Sequence, residues 1–135
     1  MLATELARPT FVAWYRNPSR PTPASLRIAY QDDNDKWGSL QVDFLVARRN
    51  DGTLGASIID PHGDYLADTR PKLQALARYA ELHGEHYVRI ESIVKVGTTL
   101  RVLDIHDLGV RAAVLEFDGA QVGSLYEGDL ARDYR

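Results

Sequence analysis

From residue 37 to residue 60 the apolar positions first alternate and then run nearly unbroken. Trp37 to Ala47 carries Leu40, Val42, Phe44 and Val46 on one side of a strand, with Asp43 and Leu45 on the other. Asn50-Asp51-Gly52 follows, residues that tolerate positive φ, so the spacing predicts a hairpin. Its second arm, Leu54 to Asp60, is nearly all apolar or small, the pattern of a strand covered on both faces. Ser25 to Tyr30 alternates as a further strand after a proline-rich loop, Asn17 to Ala24. Downstream, Leu73, Leu76, Ala77 and Ala80 form a helical stripe over Pro71–His83, with Asp68 or Thr69 as cap and Gly84 as stop. Tyr87 to Val96 is a strand, turned at Gly97-Thr98-Thr99 into Leu100 to Leu103. Asp107 caps a short helix containing Val110, Ala113 and Val114, ended by Gly119. At the start, Leu2 to Leu6 is helical up to Pro9. Phe11, Trp14 and Tyr15, at i, i+3 and i+4, predict one face of another helix, stopped by Pro18. Leu125 to Arg135 is polar and expected to be loosely held.

This order gives an α+β fold, a mixed central β-sheet flanked by helices. Its 135 residues are expected to form a single domain, 1–135, with its own core. An opening that looks like the back half of a helix suggests a domain cut from a longer polypeptide. No run of eighteen apolar residues exists, so no membrane partner is expected, and the first residues lack the pattern of a signal peptide. Cysteine is absent, which excludes disulfides and thiolate metal sites and fits a cytoplasmic location. The net charge of −3 argues against a free-standing, tight DNA binder, although Arg8, Arg16, Arg20 and Arg27 crowd the first thirty residues.

The hairpin concentrates the chemistry. Asp43 opens one arm, Asp60 closes the other, and His62 lies on the same side as Asp60 if the strand persists through Pro61. Two carboxylates are the protein ligands Mg²⁺ (or Mn²⁺) favours, with water and phosphate completing the shell. Such an ion would serve phosphodiester cleavage by polarising the phosphate and acidifying a bound water. The same residues also suit an ordinary hairpin with polar ends. Asp60, His62 and Asp64 form a second, D-x-H-x-D pattern that suits a transition metal.

The succession helix, strand, strand with Asp, strand with Asp-x-basic, helix resembles the PD-(D/E)xK nuclease superfamily. More narrowly, W-Y-R-N-P-S-R (Trp14 to Arg20), V-D-F-L-V (Val42 to Val46) and S-I-I-D-P-H-G (Ser57 to Gly63) are similar to the C-terminal region of type III restriction-subunit-like DEAD/DEAH-box helicases. The resemblance covers about Glu5 to Val114. It implies a restriction-endonuclease-like αβββαβ core, and a helicase module in cis or trans as partner, with DNA as substrate. Asp43 and Asp60 match the metal-binding acids, and Glu5 an additional helical acid. Val42 replaces the motif proline, and His62 replaces the catalytic lysine. Lys72 is a candidate for a displaced cation. Arg16, Arg20 and Arg48 are candidate phosphate contacts. Two functions follow: a metal-dependent DNA endonuclease using Asp43, Asp60 and His62, or a catalytically degenerate module that binds DNA or docks a partner subunit. Without nucleic-acid contact, the chain would be a structural accessory domain.

Overall fold

The structure, a computed structural model, describes residues 1–63 and 69–135. It is a mixed α+β fold whose main sheet is mostly antiparallel and flanked by helices. The chain runs through α1 (Leu2–Leu6), β1 (Phe11–Arg16), β2 (Ile28–Gln31), β3 (Trp37–Leu40), β4 (Phe44–Asn50) and β5 (Thr53–Pro61). It continues with α2 (Thr69–His83), a 3-10 turn at Gly84–His86, β6 (Tyr87–Val96), β7 (Thr99–Asp104), α3 (Leu108–Glu116), α4 (Gly123–Glu127) and β8 (Arg132–Asp133). The six-stranded sheet has the order β1-β4-β5-β6-β7-β8. Among the described residues only the β5–β6 pair is parallel, the consequence of the crossover through α2. β2 and β3 form a separate two-stranded sheet that packs against α2.

The expected hairpin forms with Phe44 opposite Ile59 and Asn50 opposite Thr53. Asp51 (φ 49°) and Gly52 (φ 80°) take its left-handed positions. β5 is covered on both faces. Ile58 joins the larger core with Leu73, Leu76 and Ile90, and Ile59 joins a smaller one with Val46, Ile93 and Val102. Pro71 sits in the first turn of α2, where its missing N–H costs nothing. The expected cap at Asp68 lies outside the described residues. Asp107 caps α3 as expected, accepting from the Val110 N–H at 2.9 Å.

Three expectations are corrected. Phe11 to Arg16 is a strand, not a helix: its β-branched and aromatic side chains suit an edge strand, and β1 pairs with β4. Trp14 and Tyr15 are therefore partly exposed rather than core. Trp37 to Ala47 is not one strand. It breaks between Leu40 and Phe44, sending Leu40 and Val42 to the larger core and Val46 to the smaller one. Asn17 accounts for the break. Its backbone N–H donates to the Asp43 carbonyl (2.9 Å), while its side chain donates to the Leu26 carbonyl and accepts from the Leu26 N–H. The ladder is thus replaced there by a loop that satisfies the same groups. Finally, the C-terminal stretch is anchored, not loose. Arg101 donates to the carbonyls of Tyr126, Gly128 and Ala131 and pairs with Asp133, and Tyr126 is fully buried.

Candidate functional site

The hairpin register carries Asp43 and Asp60 to the same end of the sheet, away from the turn at Asp51-Gly52. Asp43 stands in the break just before β4. Its backbone N–H donates to Oδ1 of Asp60 at 3.0 Å. Asp60 points to the α2 face, opposite Ser92 of β6 in the parallel register. Both aspartates line a cavity of about 230 Å³, closed by Gln41, His62, Lys72, Leu76 and Ser92.

Burial governs the electrostatics. Asp60 is only 7% exposed. Desolvation pushes its carboxyl up to about 7, and the nearby Asp43 charge adds to this, against the pull of the Asp43 N–H and of Lys72. Asp43 is raised too, first by burial, with Arg16 and His62 drawing it back. Two poorly solvated carboxyls that line one cavity favour either a proton or a cation there. Among the described residues no group of three or more His, Asp or Glu side chains is placed to hold a metal ion. Asp64 of the D-x-H-x-D pattern lies outside the described residues.

His62 lies on the same side as Asp60. Its Nδ1 is 2.9 Å from the Gly63 carbonyl, which can only accept, so Nδ1 carries the hydrogen. Nε2 then accepts, in the neutral ring, from the Ser92 hydroxyl at 2.5 Å or the Tyr126 hydroxyl at 3.1 Å. These two hydroxyls are 2.8 Å apart. The sequence reading missed both. Ser92 had a signal, a hydroxyl at the strand position that faces Asp60. Tyr126 had none, since it lies in a segment expected to be loose.

Lys72 lines the cavity, and Arg16 is close enough to act on Asp43. Arg20 is exposed in the loop after β1. Glu5 and Arg48 are placed elsewhere, a correction to their expected roles. Both are buried on the opposite face of the sheet, where Glu5 accepts from Arg48, Arg89 and Tyr134. Burial alone would raise Glu5, but those donors hold it below its ordinary value. Arg89 and Arg132 also pair with the buried Glu91. Arg48, committed to Glu5, is not presented to a phosphate.

Among the described residues no helix is long and apolar enough to cross a membrane. No solved structure matches the chain. Protein YagJ of Escherichia coli (strain K12) is 40% identical over 131 residues, which are 97% of this chain and 53% of that protein. The chain thus spans about half the length of the curated relative it matches. The family model described as the YagJ family matches residues 1–135 in full, and the chain belongs to that family.

Proposed function

We propose that the Asp43–Asp60 cavity is a metal-dependent phosphodiesterase site acting on DNA. The observation that carries this reading is the pairing of two poorly solvated carboxylates from adjacent arms of one hairpin, in one cavity. With β2 and β3 set aside in their own sheet, the succession α1, β1, β4, β5, α2, β6 is compatible with an αβββαβ core and supports this reading. Asp43 and Asp60 would hold Mg²⁺ or Mn²⁺, which when bound polarises a phosphodiester and lowers the pKa of a water. Lys72 stands by with positive charge near Asp60. Ser92 donates to Nε2 of His62 while its oxygen stays able to accept, so a cavity water can pass a proton through Ser92 to the ring. A neutral histidine stabilises growing negative charge less than a lysine does, so cleavage should be slow. The net charge of −3 makes binding of duplex by this chain weak and salt-sensitive. A helicase module, in cis or trans in the cytoplasm, would supply the DNA.

A second reading has its own support. His62 stands at the motif lysine position with both ring nitrogens already hydrogen-bonded. A fold that has lost turnover and now positions DNA or a partner subunit would tolerate this.

Plasmid nicking with Mg²⁺ and with Mn²⁺, beside Mn²⁺ titration calorimetry, separates the two. In the nuclease reading Asp43→Ala and Asp60→Ala abolish metal binding and nicking, and His62→Ala loses nicking alone. Metal binding without nicking, with and without a helicase, moves the conclusion to the second reading. Absence of metal binding by the unaltered chain overturns the nuclease site.

A further inference from the structure

A second and larger cavity, about 560 Å³, lies on the other side of α2. α2 separates the two cavities, presenting Thr69, Lys72, Leu73 and Leu76 to the first and Ala75, Arg78, Tyr79 and Leu82 to the second. Each set follows i, i+3, i+4, i+7, one face of the helix. The opposite wall of the second cavity is the β2–β3 sheet, with Arg27, Tyr30 and Trp37.

Its aromatic surfaces are set out for a ligand. Trp37 and Leu82 are each 73% exposed, large apolar groups that the fold itself does not cover. Tyr30 is the cross-strand partner of Gly38, and the tip of its ring rests over that glycine: a Cβ on residue 38 would come within 2.9 Å of Cζ. The charge is of one sign. Arg27 and Arg78 line the groove, and among the described residues neither is in an ion pair. No acid lines it. Of the acids in the neighbouring β2–β3 turn, Asp32 accepts from the Asn34 and Lys36 N–H groups, Asp33 pairs with Arg70, and Asp35 does not line the groove.

We infer that this groove binds single-stranded nucleic acid, with a base stacked on Trp37 against a wall formed by Tyr30 and Tyr79, and phosphates met by Arg27 and Arg78. Stacking faces flanked by arginine suit an unpaired strand, whose bases are open. A duplex hides those faces, and an apolar peptide would leave two guanidiniums without a partner. The groove needs no turnover at Asp43 and Asp60, so it holds under either reading of the first site.

The test is binding of a fluorescein-labelled oligo-dT and of a matched duplex, by anisotropy, with Trp37 emission followed in a Trp14→Phe background. Oligo-dT should quench Trp37 and bind more tightly than duplex. Trp37→Ala should weaken oligo-dT binding about tenfold. Arg27→Ala with Arg78→Ala should lower the slope of log K against log salt by about 0.7 for each arginine removed. Trp37 is exposed, so its variant should melt as the parent does. Oligo-dT binding in EDTA, with no divalent ion at Asp43 and Asp60, should be unchanged, which separates failure of this groove from failure of the nuclease site. Equal binding of oligo-dT by Trp37→Ala, or preference for duplex, overturns the inference. So does a dimer in sedimentation that Trp37→Ala dissociates, which would assign the groove to a second copy of the chain.

Discussion

The two faces of the sheet each bury a carboxylate, and they treat it in opposite ways. On the α1 face Glu5 is fully buried, yet Arg48, Arg89 and Tyr134 donate to it, and it stays ionised more readily than in water. On the α2 face Asp60 is nearly as inaccessible, accepts from one backbone N–H among the described residues, and is pushed up to about 7. Desolvation weighs most on Asp60, while the donors around Glu5 outweigh it there. A carboxylate satisfied from within is a fastening. A carboxylate left short of positive charge, at the wall of a cavity, is stabilised by what enters that cavity.

The largest effect should come from breaking the satisfied face. Glu5→Ala leaves the buried Arg48 beside no anion and Arg89 with Glu91 alone, and should cost about 3–5 kcal/mol in urea denaturation. A loss below about 1 kcal/mol would mean that water already reaches these arginines. Next comes the opposite change on the unsatisfied face. Asp60→Asn keeps an acceptor for the Asp43 N–H while removing a charge that burial disfavours. It should stabilise the metal-free protein at pH 8 by on the order of 2 kcal/mol, and at pH 4 by much less.

The sign follows from the raised carboxyl. Folded Asp60 holds its proton up to about pH 7, whereas an unfolded aspartate releases it near pH 3.9. Its part in stability is therefore complete below about pH 4 and is lost as pH rises to 7. The same competition makes Mn²⁺ affinity rise with pH through 7, read by calorimetry at pH 5.5 and 8. A sloped profile in the parent beside loss of Mn²⁺ binding at both pH values in Asp60→Asn is the expected result. The smallest effect is Tyr134→Phe, which removes one donor from Glu5 and should cost about 1.5–2 kcal/mol by thermal melting.

The regular elements were legible wherever the pattern was long or bounded. Pro71 to His83 carried a full helical stripe, and Tyr87 to Val96 ran between Gly84 and Gly97, which takes φ 60°. Asp43 and Asp60 were found because a hairpin has a register that turn residues fix. What failed was decided at long range. Phe11 to Arg16 shows three aromatics at helical spacing, but its partner is a strand some thirty residues later, and no local pattern records that. The break at Gln41 to Asp43 depends on one asparagine in a loop. Ser92 and Tyr126 reach His62 from a neighbouring strand and from the C-terminal segment, so their approach is a property of the fold alone.

The fastening on the α1 face has a consequence in time. Glu5 is bonded to residues 84 and 129 positions away, Arg89 and Tyr134. Contacts of such separation close the longest loops and tend to form after the β4–β5 hairpin and the β5–α2–β6 unit have condensed. An interaction absent from the transition state acts on escape rather than on arrival. Glu5→Ala should therefore leave the refolding limb of a stopped-flow chevron nearly unmoved and accelerate unfolding by about two orders of magnitude or more. The carboxylate that takes no part in the proposed chemistry is then the latch that sets how long each molecule stays folded.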